Sequence, residues 1–142
     1  MNKELMPLRV NGEDHEVALS RNRFLLDALR DDLGLTGTKR GCDDSSCGCC
    51  AVLIEGVPML SCVVVAASYQ GCEITTVESL DAAGALDAVQ EGFVECGEAR
   101  YGFCTPGFMI TVVALLKQNP NPLREEIRDV LSSDHCRCTG YM

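Results

Sequence analysis

The chain has 142 residues, 46% hydrophobic but only 5% aromatic and without tryptophan, enough for one domain or two small ones around an aliphatic core. Its net charge of −9 excludes a nucleic-acid footprint, which needs a basic stripe. The longest apolar run, Val63–Ala67, is far too short for a membrane span.

The start, Met1–Pro7, shows neither an apolar signal core nor a twin arginine, so a cytoplasmic protein is expected. In that reducing compartment metal-bound thiolates are expected among the ten cysteines rather than disulfides.

In chain order, Leu8–Val10, the turn Asn11-Gly12 and His15–Leu19 predict a β-hairpin. Phe24, Leu25, Ala28, Leu29 and Leu33 predict one face of a helix, with Gly34 at its C-terminal cap. Ala51–Ile54 predicts a buried strand, Glu55–Pro58 a turn, Met59–Cys62 a return strand and Glu73–Val77 another strand. This first half resembles a β-grasp ferredoxin. After about Asp81 the pattern turns helical. Leu86, Val89, Phe93 and Val94 mark one stripe, and Met109, Val112, Val113 and Leu116 a second, stopped by Asn119–Pro122. Glu125–Leu131 predicts a third helix. The expected class is α+β, with a plant-type ferredoxin domain over 1–80 and an all-helical domain over 81–142.

The cysteines divide the same way. Cys42, Cys47 and Cys50 lie on one glycine-bearing loop and Cys62 follows twelve residues later, the plant-type ligand pattern for a [2Fe–2S] cluster. The loop between Gly41 and Cys50, which includes Gly48, is expected to aim backbone N–H groups at the sulfurs and offset the cluster's negative charge. A zinc site favours two symmetrical Cys-x2–4-Cys knuckles, which this spacing lacks. Cys49 is expected to point away from the cluster, and Cys72 to be an ordinary thiol. The second set is Cys104, Cys136 and Cys138.

Thr36–Cys42, Cys47-Gly48-x-Cys50, Gly102-Phe103-Cys104-Thr105-Pro106-Gly107 and Cys136-Arg137-Cys138-Thr139-Gly140-Tyr141 together resemble the small iron–sulfur subunit of the molybdenum hydroxylases. The likeness covers nearly the whole chain. It implies two [2Fe–2S] clusters, an outer one on Cys42, Cys47, Cys50 and Cys62 and an inner one to which Cys104, Cys136 and Cys138 belong. It also implies a large partner subunit with molybdopterin, and a flavin subunit holding FAD, or a cytochrome, as the next acceptor. The role implied is electron relay from the molybdenum site outward, with no catalytic residue in this chain. A free-standing ferredoxin and a zinc-binding structural module are the alternatives.

Five departures from the family pattern stand out. Tyr101 occupies the position of an inner-set cysteine, and Arg100 that of a glutamine that contacts the pterin. Arg100 is expected to face the partner's pterin in its place. Ser45 replaces a loop glycine, and His135 an apolar residue. The chain ends at Met142, where members usually continue into a further helical stretch. For the missing inner ligand a phenol must first lose a proton near pH 10, so Cys96, a softer donor five residues earlier, is the expected substitute.

Overall fold

The computed structural model describes residues 2–83, 87–97 and 100–140. β1 (Glu4–Val10) and β2 (Glu13–Leu19) form the expected hairpin, in register from Glu4 opposite Leu19 to Val10 opposite Glu13. Asn11 and Gly12 both take positive φ, 56° and 80°, as a type I′ turn requires. Met6, Leu8, Val10, Val17 and Leu19 alternate into the core.

The next segment differs from the expected helix in two ways. α1 (Leu25–Asp27) runs directly into a π-helical stretch, Ala28–Asp32, closed by the Leu33 N–H on the Ala28 carbonyl at 3.0 Å. Phe24, expected on its apolar face, is instead extended, bridges Val65 and is exposed. The cause is main-chain: the N–H groups of Leu25 and Leu26 donate to Val64 and Ser61, so the chain enters the helix from a strand-like contact. Leu25, Leu26, Ala28 and Leu29 take the buried positions.

β3 (Ala51–Ile54), β4 (Val57–Leu60) and β5 (Glu73–Thr75) complete a five-stranded mixed sheet of order β2-β1-β5-β3-β4. β5 runs parallel to β1 and antiparallel to β3. The return strand therefore begins and ends earlier than expected, and Cys62 lies in a turn beyond it. The strand expected to reach Val77 stops at Thr75, because a 3-10 helix starts at Val77.

β3 is buried along its whole length, and its alternation serves two cores. Val52 and Ile54 join the hairpin and α1 residues on one face. Ala51 and Leu53 join Leu80, Val89, Ile110, Val113 and Ala114 on the other. The helical elements supplying that second core are α2 (Asp87–Glu95) and α3 (Thr105–Gln118). α4 (Arg124–Leu131) packs against α3 and has no buried residue.

In α2, Val89 is buried and Phe93 packs partly, but Val94 is exposed although expected on the apolar stripe. Leu86, also expected there, lies outside the described residues. In α3 the buried line is Gly107, Ile110, Thr111, Val113 and Ala114. Pro106 lies in its first turn and Asn119 ends it in extended conformation before Pro120, as expected. The layers are thus α1, sheet and α3.

Candidate metal centres

All ten cysteines are free thiols. The loop bearing the first set is locked by its own main chain. The Cys49 carbonyl accepts from Lys39 N–H, Gly48 from Ala51 N–H, and Cys50 from both the N–H and the hydroxyl of buried Ser61. Glu78 holds the approach to the loop, accepting from the Gly37 N–H at 2.7 Å.

Within this frame the thiols meet in pairs. Cys42 and Cys47 hydrogen-bond through their sulfurs, and Cys50 and Cys62 do the same. Burial acts to raise the Cys42 thiol, but the N–H and thiol of Cys47, with the Ser46 N–H, outweigh it and leave it lowered. Burial raises Cys47 against the Cys49 N–H, and pushes Cys50 up to about 12 against the Cys62 N–H. Main-chain N–H groups therefore point at the sulfurs, as a nest for negative charge requires.

Among the described residues no three Cys, His, Asp or Glu side chains converge as ligands of a single metal ion. The Cys42–Cys47 and Cys50–Cys62 contacts, with Cys47 also acting on Cys50, bring together four thiols, which suits a binuclear cluster whose four thiolates are shared between two irons. The donor set of the first loop fits a [2Fe–2S] cluster and disfavours a zinc module.

The expected cradle glycines have different duties. A Cβ on Gly41 would lie 2.8 Å from the Cys49 sulfur and 2.9 Å from that of Cys47. Gly48 has φ +76°, and a Cβ there would collide with the Asp134 carboxylate. Ser45, at the family's glycine position, sits at φ +65° and accepts a 3.6 Å contact from the Cys62 thiol.

Cys49 lies between the two sets and does not point away from the first as expected: it is 4% exposed, its thiol hydrogen-bonds that of Cys47, and Cys104 and Asp134 also act on it. Burial pushes its thiol up to about 12. A Cβ on Gly107, in the first turn of α3, would sit 2.5 Å from the Gly48 carbonyl and 3.1 Å from the Cys49 Cα. His135 N–H donates to the Cys47 carbonyl at 2.9 Å. The two thiol-bearing regions are therefore in direct contact through Gly48, Cys49, Gly107 and Asp134. Sequence reasoning missed Asp134, and had Gly107 only as part of a motif and not as a close approach, because their partners lie far away along the chain.

In the second set Cys104 hydrogen-bonds Cys136, and Cys138 lies near enough to act on Cys104 electrostatically. Burial, then Cys136, raises Cys104 to about 11. Burial acts against Cys136, but the Thr139 hydroxyl, the Cys104 thiol and the N–H groups of Thr139 and Cys138 lower it to about 7. Tyr101 is 88% exposed. Cys96, just past the end of α2, is exposed. Arg100 is exposed and donates to the Cys138 carbonyl at 2.6 Å, so its guanidinium is engaged within the chain. Tyr141 lies outside the described residues.

Residues 8–83 match the 2Fe-2S iron-sulfur cluster binding domain, and residues 76–142 match the [2Fe-2S] binding domain. The chain belongs to the small iron–sulfur subunits of the molybdenum hydroxylases. It is 41% identical over 142 residues to the nicotinate dehydrogenase small FeS subunit of Eubacterium barkeri, covering 100% of this chain and 90% of that one. It is 43% identical over 134 residues to the nicotine 6-hydroxylase small subunit of Paenarthrobacter nicotinovorans, covering 94% and 81%. Quinoline 2-oxidoreductase from Pseudomonas putida 86 superposes with a TM-score of 0.93 at 41% identity, over 99% of this chain and 87% of that one. The aldehyde oxidoreductase of Desulfovibrio desulfuricans gives 0.88 at 37%, but there the matched region is only 16% of the longer chain.

Proposed function

We propose that this subunit moves electrons between a large molybdopterin-bearing subunit and a flavin subunit with FAD, or a cytochrome. The observation that supports this most directly is the pair of thiol pairs on the Gly41–Cys50 loop and Cys62, with N–H groups aimed at their sulfurs. A [2Fe–2S] cluster, when bound, takes up and gives back one electron at a time. Cys42, Cys47, Cys50 and Cys62 would hold it. The loop glycines and the Cys47, Ser46 and Cys62 N–H groups would stabilise its charge, and burial against Ser61 would limit water.

The division into a β-grasp ferredoxin domain over 1–80 and a helical domain over 81–142 is part of this proposal. It is supported by the hairpin, helix and mixed sheet of the first part and the separate core of α2 and α3. A second cluster would use Cys104, Cys136 and Cys138. These three do not by themselves meet the four-donor requirement, and no electron step is derived through them. A partner is supported by the exposed apolar side chains Val94, Tyr101 and Phe103 of the helical part. Among the described residues no helix is long and apolar enough to cross a membrane. A cytoplasmic complex is consistent with ten free thiols.

The reading is tested by tagging this chain, purifying the native complex and measuring iron, molybdenum and flavin. A large subunit with molybdenum should co-purify, and substrate should bleach the cluster absorption. A chain that purifies alone with iron would be a free-standing ferredoxin instead.

A further inference from the structure

Residues 36–41 carry the chain into the outer cysteine loop, and they are held from two sides. The π-helical stretch supplies the first. Its wide turns close the Leu33 N–H on the Ala28 carbonyl and the Leu35 N–H on the Leu29 carbonyl, with Gly34 at φ +73° between them. The chain thereby folds back over Arg30, whose guanidinium donates to the Thr36 carbonyl at 2.9 Å and the Thr38 carbonyl at 2.7 Å. Glu78 supplies the second side: it accepts from the Gly37 N–H at 2.7 Å and is itself fixed by the Thr76 hydroxyl. The peptide joining Thr36 and Gly37 is therefore gripped at its carbonyl and at its N–H. The approach leaves no room for a side chain, since a Cβ on Gly37 would lie 2.5 Å from Val77 Cγ1 and 2.7 Å from Glu78 Oε1. Thr38 is buried with its hydroxyl unpartnered, so its own side-chain oxygen does not hold the segment. Just downstream, the Lys39 N–H meets the Cys49 carbonyl at 3.2 Å, and Gly41 lies close against the Cys47 and Cys49 sulfurs.

We propose that Arg30 and Glu78 are positioning residues of the outer iron–sulfur loop: they clamp the Thr36–Gly37 peptide from opposite sides and so hold Lys39 and Gly41 against the Cys47–Cys49 stretch. This rests on the iron–sulfur reading above. Both act through the main chain, Arg30 ending its grip one residue before Lys39 and three before Gly41. The guanidinium is always charged and its bonds to carbonyls are charge-assisted, which makes it the stronger half. Glu78 is exposed, so water competes for its half. It also lies in the 3-10 helix Val77–Ala83, which brings Leu80 into the second core, so the clamp ties the cysteine loop to the core of α2 and α3. A loop held in place beforehand loses less entropy when its thiols close on iron, and it keeps its N–H groups aimed.

The experiment uses the purified complex, with amide hydrogen exchange read by mass spectrometry, EPR of the reduced protein and iron content. Arg30→Gln should speed exchange over residues 36–50 about tenfold, as loss of a charge-assisted hydrogen bond allows. It should also change the line shape of the outer cluster's EPR signal with iron still bound. Glu78→Ala should do the same to a smaller extent, and Glu78→Gln, which keeps an acceptor for the Gly37 N–H, should restore both. Val17→Ala, which leaves a gap in the hairpin core, should lower the melting temperature yet keep the wild-type exchange over 36–50 and the wild-type signal. Unchanged exchange in Arg30→Gln overturns the proposal, and so does a Val17→Ala variant that reproduces the change, which would make it general loosening. Faster exchange with an unchanged EPR signal would reduce the pair to a structural role and overturn it too, as would a Glu78→Gln variant as open as Glu78→Ala. A wild-type complex without iron would refute the iron–sulfur reading itself, and the exchange measurements would still judge the clamp. If Arg30→Gln does not assemble, the two Glu78 variants decide.

Discussion

The carboxylate of Asp134 lies over the Cα of Gly48, in the space that a side chain at position 48 would need. Gly48 sits between two cysteines of the outer loop, and Asp134 is two residues before Cys136 of the inner set. This contact, together with Gly107 against the Gly48 carbonyl and the His135 N–H on the Cys47 carbonyl, sets how the two thiol regions meet. Gly48→Ala must displace Asp134 and place a Cβ at φ +76°, and should destabilise the fold by at least about 1 kcal/mol. Denaturant unfolding of the variant checks it; an unchanged midpoint would show that the two regions do not depend on this contact.

Asp134 also predicts a pH effect. It is 8% exposed, and its Oδ2 is buried without a hydrogen-bond partner. Burial pushes its carboxyl up, against the Thr111 hydroxyl and His135. The folded state thus holds this proton more tightly than the unfolded chain, whose carboxyl titrates near pH ~3.9. The penalty is absent below that value, grows as pH rises toward the folded value, and is full above it. Asp134→Asn, which cannot ionise, should therefore gain stability relative to wild type as pH rises from ~4 to ~7. A stability difference that stays constant across that range would contradict the assignment.

Cys42→Ser and Cys47→Ser should each lose the outer cluster, since each removes one member of a thiol pair. Cys72→Ser should keep it, because Cys72 packs against the hairpin core. Cys49→Ala should also retain its iron, because the Cys49 thiol, although it hydrogen-bonds Cys47, is not one of the four in the Cys42–Cys47 and Cys50–Cys62 contacts. Iron content and visible absorption of the four variants distinguish these outcomes. Iron loss in Cys49→Ala would place Cys49 among the ligands.

Ser45 occupies a left-handed conformation that costs a non-glycine residue about 1–2 kcal/mol. Glycine would remove that strain at an entropic cost of about 0.5–1 kcal/mol. Ser45→Gly should therefore be neutral or stabilise by up to about 1 kcal/mol, and Ser45→Val should destabilise. Thermal melts of both variants test this; equal melting of Ser45→Val and wild type would show that the loop relaxes freely.

The hairpin, the outer ligand pattern and the helix stops were legible along the chain because each depends on near neighbours. Asn11-Gly12 needs only its own positive φ angles, Cys42, Cys47 and Cys50 lie on one loop, and Pro120 ends α3 locally. The helix at Leu25 was legible in position but not in form, since main-chain bonds donated to the Val64 and Ser61 carbonyls decide how the chain enters it. Periodicity placed Val94 inward, yet a nine-residue helix touching α3 on one narrow line leaves it in solvent. The two-sided burial of β3, the seat of Cys49 between the thiol sets, and the outward turn of Tyr101 belong to tertiary structure. Each results from a contact across a long stretch of chain: Ala51 and Leu53 with α3, Gly48 with Asp134, and Arg100 with Cys138. The sequence by itself determined which residues were available to bind iron, and only the packing of α3 and the C-terminal turn against the cysteine loop decided which of them meet.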